Sequence, residues 1–240
     1  MTTKNRIQRL NFASDFIEAT VVHCVEDYDV DDAITVNLSP EPMITGWEVP
    51  SILPSWKSTI LRSGRIKSGT CVGLFKVRQE TNLGGVGFRG WDWLGNRVSS
   101  FPRDTPLYIS PQDRVGDVEL DPFVFTNERT VEKEVMPFEV RLNLWWAPGH
   151  TDCFIHNKHP FLEVHTQIFG GGRMQKFREQ DETTIFEDVV MSEGSTHDPF
   201  CRVAAKNHWV YPWHRYYADT DCVWLAIELH PKVRSSEHSF

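Results

Sequence analysis

Apolar residues along the chain recur mostly in short runs with a period of two, and the three-to-four spacing of an amphipathic helix is scarce. Runs of this kind, separated by glycine-rich or charged turns, are typical of strands in a β-sandwich or barrel. One short amphipathic helix is expected near residues 13–20. The pattern therefore predicts an all-β fold with strands at residues 33–38, 69–78, 123–126, 138–146, 161–169, 174–177, 184–191 and 223–229.

Charged residues interrupt the strand pattern at residues 127–136, which indicates a division of the chain at about residue 130. We expect a β-rich region at residues 1–130, a second β-domain at 131–232 and a disordered polar tail at 233–240. Two interpretations of the first region stay open. It either forms a barrel of its own, similar to the second, or extends a single barrel with additional strands; 240 residues suffice for both.

The composition excludes several classes of protein. A formal net charge of −8 does not provide the basic surface that nucleic acid requires, so no nucleic-acid partner is expected. No run of 18 apolar residues occurs, and the opening residues lack the apolar segment of a signal peptide. We therefore expect a cytoplasmic protein without a membrane partner. The five cysteines are scattered and never spaced as C-x-x-C, which predicts free thiols.

Histidines are concentrated in one part of the chain. Seven of the ten lie between residues 150 and 214, whereas the first half contains only His23. Because side chains alternate between the two faces of a strand, Glu163 and His165 are expected to share one face. Neutral imidazoles with at most one carboxylate suit Fe(II), Mn, Ni, Co or Zn. His197 follows a turn and is expected behind a ligand or at the mouth of a pocket.

Two stretches carry a more specific pattern. In residues 156–172, His159 stands four positions before Glu163, and six residues separate Glu163 from Gly170. In residues 211–218, Pro212 precedes His214, and a late apolar strand follows.

Together these stretches resemble the two motifs of the metal-binding cupins, and the resemblance covers roughly residues 140–230. The first cupin motif reads G-x5-H-x-H-x3–4-E-x6-G. Here Asn157 stands where that motif has its first histidine, and His156 lies one position earlier.

The resemblance implies a cupin-type double-stranded β-helix, a jelly-roll barrel, with only the second half carrying metal. It implies one divalent transition metal, with Fe(II) favoured and Mn, Ni, Co or Zn as alternatives. His159 and His214 are the leading ligands, and His165, Glu163 and His156 compete to complete the set. If Glu163 is not a ligand, it is the expected catalytic general base.

Further residues are expected to shape a substrate pocket. Of the adjacent Trp145 and Trp146, one is expected to line it and the other must pack elsewhere, since neighbouring strand residues point in opposite directions. We assign substrate contacts to Trp146, Phe161, Arg173 and Trp213, with the arginine pairing a substrate carboxylate.

The sequence favours an Fe(II)-dependent oxygenase acting on a small organic substrate, either a carboxylate or an aromatic compound. A non-redox isomerase, cyclase or lyase using the same metal is the first alternative. A non-enzymatic cupin that binds a small ligand is the second. Because cupins are commonly dimers, a homodimer is also expected.

Overall fold

The computed structural model of the chain describes residues 3–78, 90–128, 133–205 and 208–232. These residues form antiparallel strands, with one four-residue α-helix, α1 (Pro122–Phe125), and two short 3-10 turns. No helix in these ranges is long and apolar enough to cross a membrane. The predicted all-β fold class is confirmed. The tail predicted at 233–240 lies outside the described residues.

The first half contains one five-stranded sheet in which two very long strands form a curled hairpin. Val21 and Val36, near opposite ends of the second strand, both pair with Gly73. Val36 also pairs with Ser58, so the hairpin folds back upon itself and the sheet curves strongly. Its strands, in the order β1–β2–β5–β3–β4, are β1 (Arg6–Arg9), β2 (Ile17–Asn37), β3 (Met43–Thr45), β4 (Ser51–Leu53) and β5 (Ser58–Val77).

Two local predictions in this half are wrong. The helix expected at 13–20 is a turn followed by the start of β2, where exposed Glu18 alternates with buried Ile17 and Ala19. The strand expected at 123–126 is instead helix α1. Asp121 caps this helix by accepting a hydrogen bond from the backbone N–H of Phe123, and Pro122 occupies its first position.

The remaining strands, three of which come from residues 92–120, form two sheets that face each other. The first has the order β11–β17–β9, extended by β7 and β6, with β8 also pairing with β9. The second has the order β10–β16–β12–β13. A small hairpin, β14–β15, stands apart. The strands are β6 (Asp92–Trp93), β7 (Tyr108–Ile109), β8 (Asp113–Leu120), β9 (Met136–Ala147), β10 (Thr151–Asp152), β11 (Leu162–Phe169), β12 (Gly172–Phe177), β13 (Ile185–Met191), β14 (Arg202–Ala205), β15 (His208–Val210), β16 (Trp213–Ala218) and β17 (Cys222–Pro231).

An isolated bridge between Thr166 and Thr196 places a further chain segment beside β11. When the segment at Thr196 is counted as a fourth member, the first sheet has the order β9, β17, β11 and the Thr196 segment. The second sheet keeps the order β10–β16–β12–β13. Eight chain segments in two such four-membered sheets form a jelly roll. The predicted double-stranded β-helix is confirmed.

The first sheet of the barrel is covered on both of its faces. Leu142, Leu225 and Ile227 point outward and share a hydrophobic core with first-half residues such as Val21 and Phe75. The alternate residues of the same strands point into the barrel. Consequently β17 is buried from Cys222 through Leu229 and has no solvent-exposed face over these residues. The proposed boundary near residue 130 stays a prediction, and residues 129–132 lie outside the described ranges.

Candidate metal centre

Three histidines converge at one end of the barrel interior. The ring nitrogens that His156, His159 and His214 present to each other all lie within 4.8 Å. The Nε2 atoms of His159 and His214 are 2.9 Å apart. The three ring centroids are separated by 4.4 to 5.0 Å. This group is compact enough for a single ion to contact all three side chains.

Backbone pairing brings His156 to His214. The N–H of each residue donates to the carbonyl oxygen of the other, at 3.0 and 2.8 Å. Directly opposed residues of an antiparallel pair project toward the same face. The register of β10 with β16, Thr151 opposite Ala218, would bring Ile155 opposite His214. One extra residue shifts this register, and Phe154 at φ 75° marks the bulge.

The hydrogen bonds of two rings determine which nitrogen is free. The Nδ1 atom of His156 lies 3.0 Å from the carbonyl oxygen of Phe154, and that of His214 lies 2.9 Å from the carbonyl oxygen of Pro212. Because a carbonyl oxygen only accepts, each Nδ1 carries the hydrogen. Burial lowers the pKa of both rings. Neutral rings of this tautomer present a free lone pair on Nε2, as metal-bound histidines do.

His159 is also uncharged. Burial and the neighbouring His156 lower its pKa to about 3. Glu163, four residues later on β11, places Oε1 3.2 Å from Nε2 of His159. This oxygen is buried and makes no hydrogen bond within the described chain. Burial, together with the charge of Glu228, raises the pKa of Glu163. An unpartnered carboxyl oxygen beside three imidazole rings, two of which present a free Nε2 lone pair, fits a bound cation.

A fourth ring stands beside this group. His165 and Glu163 face the same side of β11, with Nε2 of His165 3.5 Å from Oε2 of Glu163. Nδ1 of His197 donates to the carbonyl oxygen of Asp198 at 2.8 Å, which leaves Nε2 of His197 as an acceptor. That Nε2 receives the backbone N–H of His165, and Nδ1 of His165 lies 3.0 Å from it. His197 therefore fixes the hydrogen of His165 on Nδ1 and leaves its Nε2 free toward Glu163.

The side chains that line a cavity of about 390 Å³ include His156, His159, Glu163, His165 and His214. Away from the histidines its wall is mainly apolar and aromatic. The first half supplies part of that wall. Lys158 is the one lysine or arginine that lines the cavity in the described chain. The apolar wall comprises Leu94, Val98, Phe101 and Leu107 from the first half and Trp145, Phe154, Met174 and Trp224 from the barrel.

No family model and no curated protein matches the chain. Among solved structures it is similar to a salicylate 1,2-dioxygenase from Pseudoaminobacter salicylatoxidans, at 11% identity and a TM-score of 0.32, over 92% of this chain and 73% of that one. It is also similar to a cupin 2 conserved barrel domain protein from Leptotrichia buccalis, at 10% identity and a TM-score of 0.27, over 95% and 91%. A Bacillus subtilis oxalate decarboxylase gives 10% identity and a TM-score of 0.29, over 97% and 79%.

Likeness at this level identifies neither a fold nor an activity. The strand order of the two sheets identifies the architecture. The second half forms a jelly-roll barrel with three histidines at one end of its interior.

The structure brings most of the predicted site residues together inside this barrel. His156 belongs to the closest group although it is one position out of the motif, because residues 157–159 are not strand and do not alternate. Phe161 lines the cavity with its ring centroid 5.4 Å from that of His159. The predicted residues that line the cavity are His156, His159, Phe161, Glu163, His165 and His214.

Three predicted substrate contacts lie elsewhere, and the structure corrects them. Trp146 points to the outer face of β9 and packs with Tyr108, whereas its neighbour Trp145 lines the cavity. Trp213 adjoins His214 on β16, and so it points to the opposite face and is absent from the cavity lining.

Arg173 is the third correction. It lies on β12 next to Met174, which faces the cavity, so its own side chain points outward. There it forms ion pairs with Asp188 and Asp219, both at 2.9 Å. Arg173 is therefore already paired, and it is not available to a substrate carboxylate in the cavity.

Sequence reasoning missed several contributions to the cavity, among them Tyr216, Glu228 and the wall formed by residues 94–107. Tyr216 lies two residues after His214 on β16, and strand alternation was a sufficient signal to find it. Glu228 lies opposite Glu163 in the register of β17 with β11. Nothing in the sequence indicated that residues 94–107 form part of the cavity wall, because their position depends on how the first half packs against the barrel.

Proposed function

We propose that the protein is a metal-dependent cupin enzyme whose single divalent transition metal is held by His156, His159 and His214. The observation that carries this proposal is the convergence of one ring nitrogen from each histidine within 4.8 Å, with Nδ1 of His156 and His214 held by backbone carbonyl groups. Glu163 and His165 are the candidates for a further ligand. Imidazole donors suit Fe(II), Mn, Ni, Co and Zn, and we favour Fe(II).

The favoured reaction is oxygenation of a small organic substrate. Bound Fe(II) would supply redox chemistry and open coordination positions. The chain itself supplies a cavity whose wall is largely apolar away from the histidines, and Phe161 and Trp145 provide aromatic surfaces for an organic ring. Lys158, exposed at the cavity and without an ion pair among the described residues, can pair with a substrate carboxylate.

A non-redox isomerase, cyclase or lyase is the second candidate, and the position of Glu163 favours it. Its buried carboxyl group faces the cavity, and its Oε1 has no hydrogen-bond partner in the described chain. Such a group can accept or donate a proton at a substrate carbon. Consumption of O₂ during turnover would support the oxygenase, whereas turnover without O₂ would support this alternative.

Metal analysis of the purified protein tests the proposal. After anaerobic loading with each of the five metals and desalting, we expect one equivalent of metal per chain in the wild type. His156→Ala and His214→Ala should each lower the metal content at least about tenfold. His208→Ala, at an exposed residue of β15, is the matched control and should bind metal normally.

A wild type that retains no stoichiometric metal would refute both enzyme proposals. In that case a non-enzymatic cupin that binds a small ligand is the remaining candidate, and its ligand binding should survive the histidine substitutions. The cytoplasmic location and the homodimer stay predictions.

A further inference from the structure

Tyr216 carries a buried hydroxyl group that no described residue satisfies. The residue is 5% exposed, it lines the cavity, and its hydroxyl oxygen makes no hydrogen bond in the described chain. The neighbouring Tyr211 shows the usual arrangement. Its hydroxyl donates to the carbonyl oxygen of Phe161 at 3.0 Å and accepts the N–H of Glu163 at 3.1 Å. Buried hydroxyl groups normally have such partners, so a hydroxyl group at Tyr216 without a hydrogen bond in the described chain requires an explanation.

The ring of Tyr216 is held by aromatic neighbours. It stacks on Trp224 with ring centroids 4.6 Å apart and an interplanar angle of 4°. It also meets the ring of His165 edge to face, at 5.2 Å and 82°. These two contacts restrict the ring, so the hydroxyl group cannot turn away to seek another partner. Because Tyr216 lies two residues after His214 on β16, it faces the same interior as the metal group.

The surroundings of this hydroxyl group favour a flat apolar ligand. Trp145, Met174, Phe101 and Trp224 contribute apolar surface to the same cavity. Lys158 is exposed and is the only lysine or arginine of the lining among described residues, so it offers no buried counter-charge. An aromatic ring therefore fits the interior, and the hydroxyl group of Tyr216 offers it one directed polar contact.

We propose that Tyr216 is a specificity-determining residue whose hydroxyl group donates a hydrogen bond to an oxygen acceptor on an aromatic substrate. The contact orients the ring in the cavity that also contains the histidine group. This inference builds on the proposed function, because it names the substrate class of the same site. It makes a separate claim, however, since aromatic binding does not require that the histidines hold metal.

Calorimetric titration with two matched probes tests the inference. Acetophenone and ethylbenzene have similar size, and only acetophenone carries a carbonyl oxygen. Both are titrated into the Zn(II)-loaded protein and into the metal-free protein. We expect Tyr216→Phe to weaken acetophenone binding about tenfold and to change ethylbenzene binding less than about twofold. Tyr217→Phe, on the other face of β16, should alter neither affinity.

The decisive result is the difference between the two probes in how much Tyr216→Phe changes their affinity. Acetophenone and ethylbenzene also differ in hydration, but this difference is the same for wild type and variant and therefore cancels. An equal change for both probes, or no change for either, would overturn the inference. Failure of both probes to bind the wild type would overturn it too. Thermal unfolding provides a further check. Tyr216→Phe loses no hydrogen bond and should not lower Tm, so a large drop in Tm would mean that its hydroxyl has a structural partner.

Failure of this inference can be distinguished from failure of the proposed function. Loss of metal binding in the wild type, with the probe-dependent effect of Tyr216→Phe intact, would refute the metal proposal and leave the inference standing. Normal metal binding without the probe-dependent effect would do the reverse.

Discussion

His197 makes folding stability depend on pH in a calculable way. The residue is 5% exposed, and its Nε2 accepts a hydrogen bond from the backbone N–H of His165. Burial is the main cause that lowers its pKa to about 4. The positive charges of Lys57 and Lys176 lower this pKa further, whereas the hydrogen bond to the carbonyl oxygen of Asp198 and the charge of that residue oppose the shift. In the unfolded chain the pKa of a histidine is about 6.5.

The sign follows from the number of bound protons. Between pH 6.5 and pH 4 the unfolded chain binds a proton at His197 that the folded chain does not, so stability falls as the pH falls. The gap between the two pKa values corresponds to about 3 kcal/mol in total. About 2 kcal/mol of this is lost between pH 7 and pH 5.

Urea unfolding followed by tryptophan fluorescence measures the effect. The metal-free protein is compared with His197→Gln, whose side-chain oxygen can still accept the N–H of His165. Between pH 7 and pH 5 we expect the wild type to lose about 2 kcal/mol more unfolding free energy than the variant. His208→Gln, at an exposed position, should lose as much as the wild type. The same pH dependence in wild type and His197→Gln would refute the buried, neutral state of His197.

Two substitutions test the local structure by chemical denaturation. Gly170 has φ 69°, and an added Cβ would lie 2.1 Å from the carbonyl oxygen of Asp221, so Gly170→Ala should cost at least about 2 kcal/mol. Gly116→Ala meets no atom within 4 Å and is the control; an equal loss at both sites would contradict the strain argument. Tyr211→Phe removes both hydrogen bonds of a buried hydroxyl group, including that to Phe161, and should cost about 1–3 kcal/mol. Unchanged stability would show that these bonds do not form.

Strand alternation predicted part of the site and failed where its premise did not hold. Glu163 and His165 both lie on regular strand β11, and they share the cavity-facing side as expected. His156 and His159 are joined by residues that are not strand, and a bulge at Phe154 precedes them. The alternation of side chains between two faces cannot be followed through a segment that is not strand. The concentration of histidines in the sequence therefore indicated where the site is. Which of these histidines converge depended on the backbone geometry.

The choice between Trp145 and Trp146 failed for a different reason. When one face of a strand is exposed to solvent, its sequence shows which side chains point inward, because polar residues occupy the exposed face. On β9 both faces are covered, one by the barrel interior and the other by the first half. Each face accepts a tryptophan, so the sequence of the strand alone carries no information about direction. Arg173 was misplaced because a cation looks the same in sequence whether its partners are substrates or nearby aspartates.

The packing of the first half against the barrel also completes the cavity. The first half covers the outer face of β9 and β17 with residues such as Val36 and Phe75. It also sends Leu94 and Phe101 to the cavity wall, where Phe101 meets Phe154 of the barrel at 6.1 Å between ring centroids. The barrel supplies every candidate metal ligand, and the first half supplies part of the apolar surface that a substrate would touch. Binding of a metal should therefore depend mainly on the barrel, whereas selection of the substrate depends on both halves.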